Sequence, residues 1–155
     1  GLLAGGSSSR GIFGGGGVPS IVNVIQAFNI AVQGNTFDFG DLTEARYYSG
    51  GCSSSTRGLF AGGDTGSKVD TIDFVTMATE GNATDFGNLS AAACFCAGTS
   101  NKTRGVVNIG DTGSVVNTID FVTIATTGNA QDFGDLTSVR RFAAPVSDSH
   151  GGLAQ

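Results

Sequence analysis

The chain has 155 residues, a formal net charge of −5 and 26 glycines, with 39% hydrophobic and 14% charged residues. This length is enough for one ordinary domain, and the balance of apolar to charged residues excludes a disordered chain. The basic residues are scattered, which disfavours nucleic-acid binding because such proteins cluster them on one face. No apolar run approaches the roughly 20 residues of a membrane helix, so we expect no membrane insertion.

The sequence repeats every 47 residues, without insertions or deletions between copies. Each copy carries an arginine followed by glycine, and these arginines are Arg10, Arg57 and Arg104. Each copy also carries a Gly-Asn pair and an Asp-Phe-Gly segment, whose phenylalanines are Phe39, Phe86 and Phe133. A fixed period of this length indicates a stacked or radial repeat architecture. We divide this single repeat domain into residues 1–47, 48–94, 95–141 and a partial closing repeat at 142–155.

The middle copy predicts four short antiparallel strands in chain order. The second of them is apolar and ends in Gly62 and Gly63. The third alternates with apolar residues on both faces, as in a strand buried between two layers. A Gly-Asn turn signal separates the third strand from the fourth. The predicted strands are residues 45–52, 57–63, 69–79 and 83–89.

Four strands per period is the pattern of a β-propeller blade. The alternative is a β-solenoid, whose coils are usually shorter. We therefore expect an all-β chain with three propeller-type blades. A closed ring takes about 4–8 blades, so we expect either half of a six-bladed homodimeric ring or a segment whose remaining blades belong to a longer chain.

The repeat resembles the kelch motif. In both, a basic residue precedes an apolar strand ending in two glycines, then a strand of the Thr-Ile-Asp-Phe type (here with Asp73 or Asp120) and an aromatic anchor (here Phe39, Phe86 or Phe133). The Gly-Asn and Asp-Phe-Gly phrasing is also similar to glycine-rich kelch-like repeats of phage tail and fibre virion proteins. This resemblance implies a virion or extracellular location and a non-enzymatic, structural or adhesive role, with loops presented to a host surface or a partner protein.

The alternative function is a soluble propeller lectin that binds glycans through aromatic platforms and polar groups. Catalysis is not expected, because the single histidine, His150, has no assignable Ser or Asp partner. No His/Cys cluster has the spacing of metal ligands, so we expect no cofactor.

The repeated arginines have two interpretations. They could pair with a repeated acid such as Asp73 or Asp120, because the guanidinium fork suits a carboxylate, or they could form a ring of glycan-binding groups. We favour the structural interpretation.

Two further sets of residues leave alternatives open. The pairs Asp38/Asp41 and Asp132/Asp135 suggest turn-forming aspartates, with calcium ligation as the alternative. The cysteines lie outside the repeated framework and are predicted to be buried free thiols, with a disulfide involving Cys52 as the alternative. These cysteines are Cys52, Cys94 and Cys96.

Overall fold

The computed structural model describes residues 9–148 as an all-β structure, which confirms the predicted fold class. Eleven strands are present in this range, and they form three antiparallel sheets. Short runs of β-branched and aromatic residues favour strands here, and the glycine-containing segments between them form the turns.

Each sheet is a meander in which consecutive strands pair side by side. Sheet 1 contains β1 (Arg10–Gly14), β2 (Val24–Asn29) and β3 (Phe37–Asp41). Sheet 2 contains β4 (Gly50–Ser53), β5 (Arg57–Asp64), β6 (Lys68–Thr76) and β7 (Thr84–Ala93). Sheet 3 contains β8 (Ala97–Ser100), β9 (Arg104–Asn108), β10 (Thr118–Thr123) and β11 (Gln131–Asp135). The expected four strands are thus present in sheets 2 and 3, and sheet 1 shows three within the described range.

Strand β7 extends further than predicted. The sequence places its end at Leu89, whereas the strand continues to Ala93. The extension arises because Ala93 pairs with Val69 beyond a register shift in the β6–β7 ladder. The alternation of small and apolar side chains in residues 89–93 is too weak to reveal this pairing from sequence.

A β-bulge recurs at the same place in every sheet and explains the glycine of the Asp-Phe-Gly segment. The register shifts follow Ile25, Ile72 and Ile119. The glycines that face these isoleucines are Gly40, Gly87 and Gly134, with φ angles of 151°, 148° and 144°. These φ angles favour glycine, and a bulge of this kind adds one residue to one strand of the ladder.

The three sheets stack in chain order, with an apolar core between each neighbouring pair. We call the face that contacts the following sheet the forward face and the opposite one the rear face. In sheet 2, Ile72 lies on the forward face and Asp73 on the rear face, and both are fully buried. The core between sheets 1 and 2 contains Ile25, Ala27, Phe39, Leu42, Phe60, Val75 and Met77. The core between sheets 2 and 3 contains Leu59, Ala61, Ile72, Phe86, Leu89, Ala93, Val107, Ile109, Val122 and Ile124.

Candidate functional site: repeated sheet junctions and an aromatic ladder

The last strand of sheet 1 forms hydrogen bonds with a loop of sheet 2, and the last strand of sheet 2 does the same with sheet 3. At the first junction, the carbonyl of Phe39 accepts from the Gly81 N–H at 2.9 Å, and the carbonyl of Asp41 accepts from the Ala83 N–H at 2.7 Å. The Asn82 side-chain oxygen accepts from the Asp41 N–H at 3.0 Å. The second junction repeats all three bonds 47 residues later, with Phe86, Asn88, Gly128, Asn129 and Ala130. The repeated Gly-Asn pair is therefore a sheet-to-sheet connector.

A buried aspartate on the rear face of sheets 2 and 3 is bound by a hydroxyl residue of the preceding sheet. Thr43 donates its N–H and its hydroxyl to Asp73 at 3.0 and 2.8 Å. Ser90 donates the same two groups to Asp120, both at 2.8 Å. Both carboxylates are fully buried. Hydrogen bonds to a charged acceptor are strong, and they offset part of the cost of removing the carboxylate from water.

Arg46 adds a cation to the first of these aspartate sites only. Its Nη2 lies 3.1 Å from Asp73 Oδ2 and donates to the Phe60 carbonyl at 3.2 Å. The Arg46 side chain is fully buried, and its Nε and Nη1 have no hydrogen-bond partner among residues 9–148, although Nη1 lies 3.8 Å from the Glu44 carboxylate. One period later the position is Ala93, so Asp120 is held without an arginine from this position; two periods later it is Arg140.

The repeated arginines bind the next sheet through backbone carbonyls. Arg10 Nη1 donates to Met77 O at 2.7 Å, and Arg57 Nη1 donates to Ile124 O at 3.1 Å. The guanidinium of Arg57 also lies 4.4 Å from the ring centroid of Phe74. The expected pairing of these arginines with Asp73 or Asp120 is wrong, because the cation beside Asp73 is Arg46. A backbone acceptor has no sequence signature. The pattern of side chains therefore predicted a carboxylate partner for arginines that bind carbonyl groups.

Arg104 and Phe133 of sheet 3 have no sheet beyond them in the described chain. The Arg104 guanidinium lies 4.6 Å from the Phe121 ring centroid, and the side chain is exposed. Phe133 is 51% exposed, whereas Phe39 and Phe86 are each 3% exposed. The repeat positions predicted from sequence are therefore brought together at the two internal junctions and left open on sheet 3.

The double glycine of the middle repeat lets two chain segments approach each other. Gly62 and Gly63 both have positive φ angles, of 65° and 124°. A side chain at Gly63 would lie 2.8 Å from the carbonyl of Tyr47, which itself accepts from the Asp64 N–H at 2.9 Å. These glycines therefore hold the turn between β5 and β6 beside the segment that enters β4.

An aromatic ladder runs across the three repeats on this same edge. Tyr48, Phe95 and Phe142 are 47 residues apart, and each has a left-handed backbone, with φ angles of 61°, 56° and 60°. Ring centroids are 4.4 Å apart for Tyr48–Phe95 and 4.5 Å apart for Phe95–Phe142. Tyr47 extends the ladder at 4.2 Å from Tyr48. A left-handed backbone at a bulky residue is uncommon, and such strain concentrates at functional positions.

Charged groups flank the ladder. The Arg141 guanidinium lies 5.4 and 5.5 Å from the Phe95 and Phe142 centroids and bonds Asp111 at 3.2 Å. Lys68 Nζ lies 3.7 Å from the other oxygen of Asp111. The Gly113 N–H bonded to the Asp111 carboxylate lowers the pKa of that group, and the two cations act in the same direction. Asp111 is thus held ionised beside an aromatic surface.

The sequence contains a signal for the ladder that motif reasoning missed. The aromatic residue recurs at the same 47-residue interval as the arginines, but as tyrosine in one copy and phenylalanine in the others. Tyr48 and Phe142 are both exposed. The left-handed backbone could not be predicted, because glycine or asparagine is the usual residue in that conformation.

The three cysteines are free thiols, as predicted, but only Cys94 is buried, whereas Cys52 and Cys96 are partly buried. Burial raises the pKa of Cys52 to about 12 and that of Cys96 to about 12. A thiol with such a pKa stays protonated and is a poor nucleophile near neutral pH. The cysteines therefore act as small apolar side chains in the cores.

The prediction that the Asp-Phe-Gly aspartates form turns is wrong: Asp38, Asp85 and Asp132 lie in strands β3, β7 and β11, beside the bulge. Oδ1 of Asp85 and of Asp132 accepts the N–H of the residue two positions on, at 3.2 and 3.1 Å. Within residues 9–148, no group of three or more His, Cys, Asp and Glu side chains is arranged to hold a metal ion. His150 lies outside the described residues. The same range contains no helix with the length and hydropathy required to cross a membrane.

No protein-family model and no curated protein matches this sequence. The resemblance to kelch-like and phage tail repeats therefore stays a prediction, based on the residues quoted for it.

Proposed function

We propose that the three sheets are propeller-type blades of a non-enzymatic, adhesive virion protein, a tail or fibre component that acts outside the cell as a homodimer. The repeated junction supports the blade arrangement, because the same backbone bonds and the same buried aspartate position connect each sheet to the next. An array of this kind provides a rigid scaffold, and rigid scaffolds are where binding loops are usefully placed.

The observation that carries the adhesive function is the aromatic ladder. Tyr48, Phe95 and Phe142 share one edge with the exposed turn residues Ser67 and Ser114. Aromatic side chains provide a large contact area at a low cost in conformational entropy, and they are enriched where proteins bind partners. This edge is therefore the surface proposed to contact the host or a partner protein.

The adhesive proposal is tested by binding of the purified chain to host cells. Tyr48→Ala and Phe142→Ala are expected to reduce binding at least about tenfold, as for interface aromatics whose truncation costs more than 1 kcal/mol. Phe37→Ala is the matched control, because Phe37 is an exposed aromatic at the opposite end of the strands. Equal binding by all three variants contradicts the ladder as the contact surface.

The virion assignment has its own test. Mass spectrometry of purified particles, from the phage whose genome encodes the chain, is expected to detect its peptides in stoichiometric amounts. Their absence from the particles contradicts the virion component while leaving the adhesive surface to be judged by the cell-binding experiment.

The second candidate is a propeller lectin. The Arg141–Asp111 pair beside Phe95 and Phe142 favours it, because glycan sites combine an aromatic face with polar groups. A glycan array decides between the two. Binding to a defined glycan that is lost in Phe142→Ala and retained in Phe37→Ala supports the lectin, whereas no binder on the array removes it.

A further inference from the structure

We propose that the forward face of sheet 3 binds the rear face of sheet 1 of a second copy of this chain, through the contacts that already join sheets 1, 2 and 3. This inference rests on the proposed homodimer and names its two surfaces. Two such junctions related by a two-fold axis would give a closed set of six sheets, within the about 4–8 blades typical of propellers.

The forward face of sheet 3 has the side chains of an internal junction without the sheet that would cover them. Phe133 is half exposed although its two counterparts are buried, and Ile119 and Leu136 are only partly buried. Their counterparts in sheet 2, Ile72 and Leu89, are buried in the core with sheet 3. An exposed apolar face of this kind marks an interaction surface.

The polar groups of the junction are also in place on this face. Thr137, Arg140 and Arg104 occupy the positions of Thr43, Arg46 and Arg57, and all three are exposed. The face therefore offers donors where the internal junctions have completed bonds.

Gly134 has open space where its counterparts touch the next sheet. A Cβ on Gly40 would clash with the carbonyl of Gly81, and a Cβ on Gly87 would clash with the carbonyl of Gly128. A Cβ on Gly134 would meet no atom within 4 Å. The space beside Gly134 therefore matches the space that a loop of the next sheet fills at Gly40 and Gly87, and no loop of the described chain fills it.

The chain's own C-terminal segment already begins such a continuation. Pro145 lines one groove with Ala97 and Thr99, and Val146 lines another with Thr99 and Ser100. At the internal junction β8 lies beside β4 in the same way, with the Ser100 hydroxyl donating to Ser53 O at 2.6 Å. Residues 144–147 follow β8 by one period, so they occupy the position of the next sheet's first strand.

The rear face of sheet 1 is the complementary surface. Phe13 and Ile30 are each 64% exposed, whereas their counterparts Phe60 and Met77 are 7% and 5% exposed in the core with sheet 1. Phe13 stacks on Phe28 with centroids 5.2 Å apart, so the two rings form one apolar surface. The corresponding apolar surface of sheet 2 is covered by the forward face of sheet 1.

The connecting loop and the acceptor site are present in sheet 1 as well. Gly34 and Asn35 occupy the positions of Gly81 and Asn82, the loop that binds the preceding sheet at the first junction. Gln26 occupies the position of Asp73 and is exposed. Its amide oxygen accepts from the Thr36 hydroxyl at 3.1 Å and has a second lone pair for Thr137 or Arg140, although it is a neutral and hence weaker acceptor than a carboxylate.

Charge decides between the two ways of pairing copies. Two forward faces placed together would bring Arg104 and Arg140 of one copy against the same arginines of the other, and like charges repel. A forward face against a rear face places these arginines opposite carbonyls and Gln26. Only the head-to-tail arrangement repeats the internal junctions.

The test measures mass in solution by light scattering over a concentration series. The wild-type chain is expected at twice 15.5 kDa, and Phe133→Asp and Phe13→Asp are each expected to weaken dimerisation about thirtyfold or more, as for a central interface aromatic. Gly134→Ala is expected to do the same without adding charge. Ser67→Asp and Gly113→Ala are the matched controls, because both positions are exposed turns away from the two faces, and they are expected to leave the dimer intact.

Mixing the two aspartate variants tests the head-to-tail arrangement directly. Each variant alone has no functional junction. A mixture has one intact junction, formed by Phe133 of the Phe13→Asp variant and Phe13 of the Phe133→Asp variant. A one-to-one complex in the mixture is the expected result, and its absence overturns the arrangement.

Gln26→Asp places a carboxylate where Arg140 would find it, and it is expected to tighten dimerisation about tenfold relative to the surface control Gln33→Asp. A wild-type dimer that none of the face variants weakens overturns the assigned surfaces and leaves the homodimer standing. A wild-type monomer at every concentration overturns both. Host-cell binding is a separate readout, so the adhesive proposal can fail independently.

Discussion

At the residue scale, the buried aspartates distinguish the two internal junctions. Asp73 is held by Thr43 and Arg46, whereas Asp120 is held by Ser90 with Ala93 in place of the arginine. Removing one partner of a buried ion pair leaves a charge without compensation, which costs about 3–5 kcal/mol. Removing a hydrogen-bonded group without a paired cation costs about 1–3 kcal/mol.

Asp73→Ala is therefore expected to lower the free energy of unfolding by more than Asp120→Ala does. Asp73 and Asp120 occupy the same position in successive repeats, are equally buried and each accept from a hydroxyl side chain. Each variant is therefore the control for the other. Urea denaturation measures both. Equal losses in the free energy of unfolding would show that the ion pair between Arg46 and Asp73 adds nothing measurable to stability.

The thiols give a second expectation at this scale. With a pKa of about 12, only about one Cys52 or Cys96 thiol in ten thousand is ionised at pH 8. Iodoacetamide is expected to leave both unmodified in the folded chain and to modify both in urea. Because the folded state keeps these protons that the unfolded chain releases near pH 9, stability is expected to fall as pH rises from about 9 towards 12. Rapid labelling of either thiol in the folded chain would contradict its raised pKa.

At the scale of the strand and sheet, the bulge glycine connects sequence to stacking. Gly87 and Gly134 have the same φ region, but only Gly87 lies against the loop of a following sheet. Gly134→Ala is expected to cost about 1–3 kcal/mol from backbone strain. Gly87→Ala is expected to cost about 1–3 kcal/mol more, because its Cβ displaces the Gly128 carbonyl.

Both glycine variants are compared by thermal and urea unfolding in the Phe13→Asp background. That substitution is expected to weaken the proposed docking between copies, so that the comparison reports on the folded chain alone. A Gly134→Ala loss as large as that of Gly87→Ala would mean that close approach to the next sheet contributes nothing at this position.

The strands were predictable from sequence, and the contacts between sheets were not. Period, turn signals and alternation located the meander around β5 and β6, because these are local properties of the chain. The partner of Asp73 could not be found this way, since Arg46 belongs to the preceding repeat and varies to Ala93 in the next. The acceptors Met77 O and Ile124 O are backbone atoms and have no sequence signature at all.

At the scale of the whole molecule, the same junction joins sheet 1 to sheet 2 and sheet 2 to sheet 3. Within residues 9–148, the forward face of sheet 3 and the rear face of sheet 1 are left without a neighbouring sheet. Open sheet faces with exposed phenylalanines are aggregation hazards unless they are covered. Head-to-tail pairing of two copies covers both, and it leaves the aromatic ladder with Tyr48 and Phe142 on a separate edge. The proposed assembly and the proposed adhesion therefore use different surfaces.

Hydrogen exchange at the connecting loops tests the repeated junction most directly. The N–H groups of Ala83 and Ala130 bind the preceding sheet, and the corresponding amide in sheet 1 is that of Thr36. We expect Ala83 and Ala130 to be protected in the wild-type chain and in the Phe133→Asp variant, and Thr36 to be protected in the wild-type chain alone. Fast exchange at Ala83 and Ala130, or equally fast exchange at Thr36 in both proteins, would contradict a junction that continues from one copy into the next.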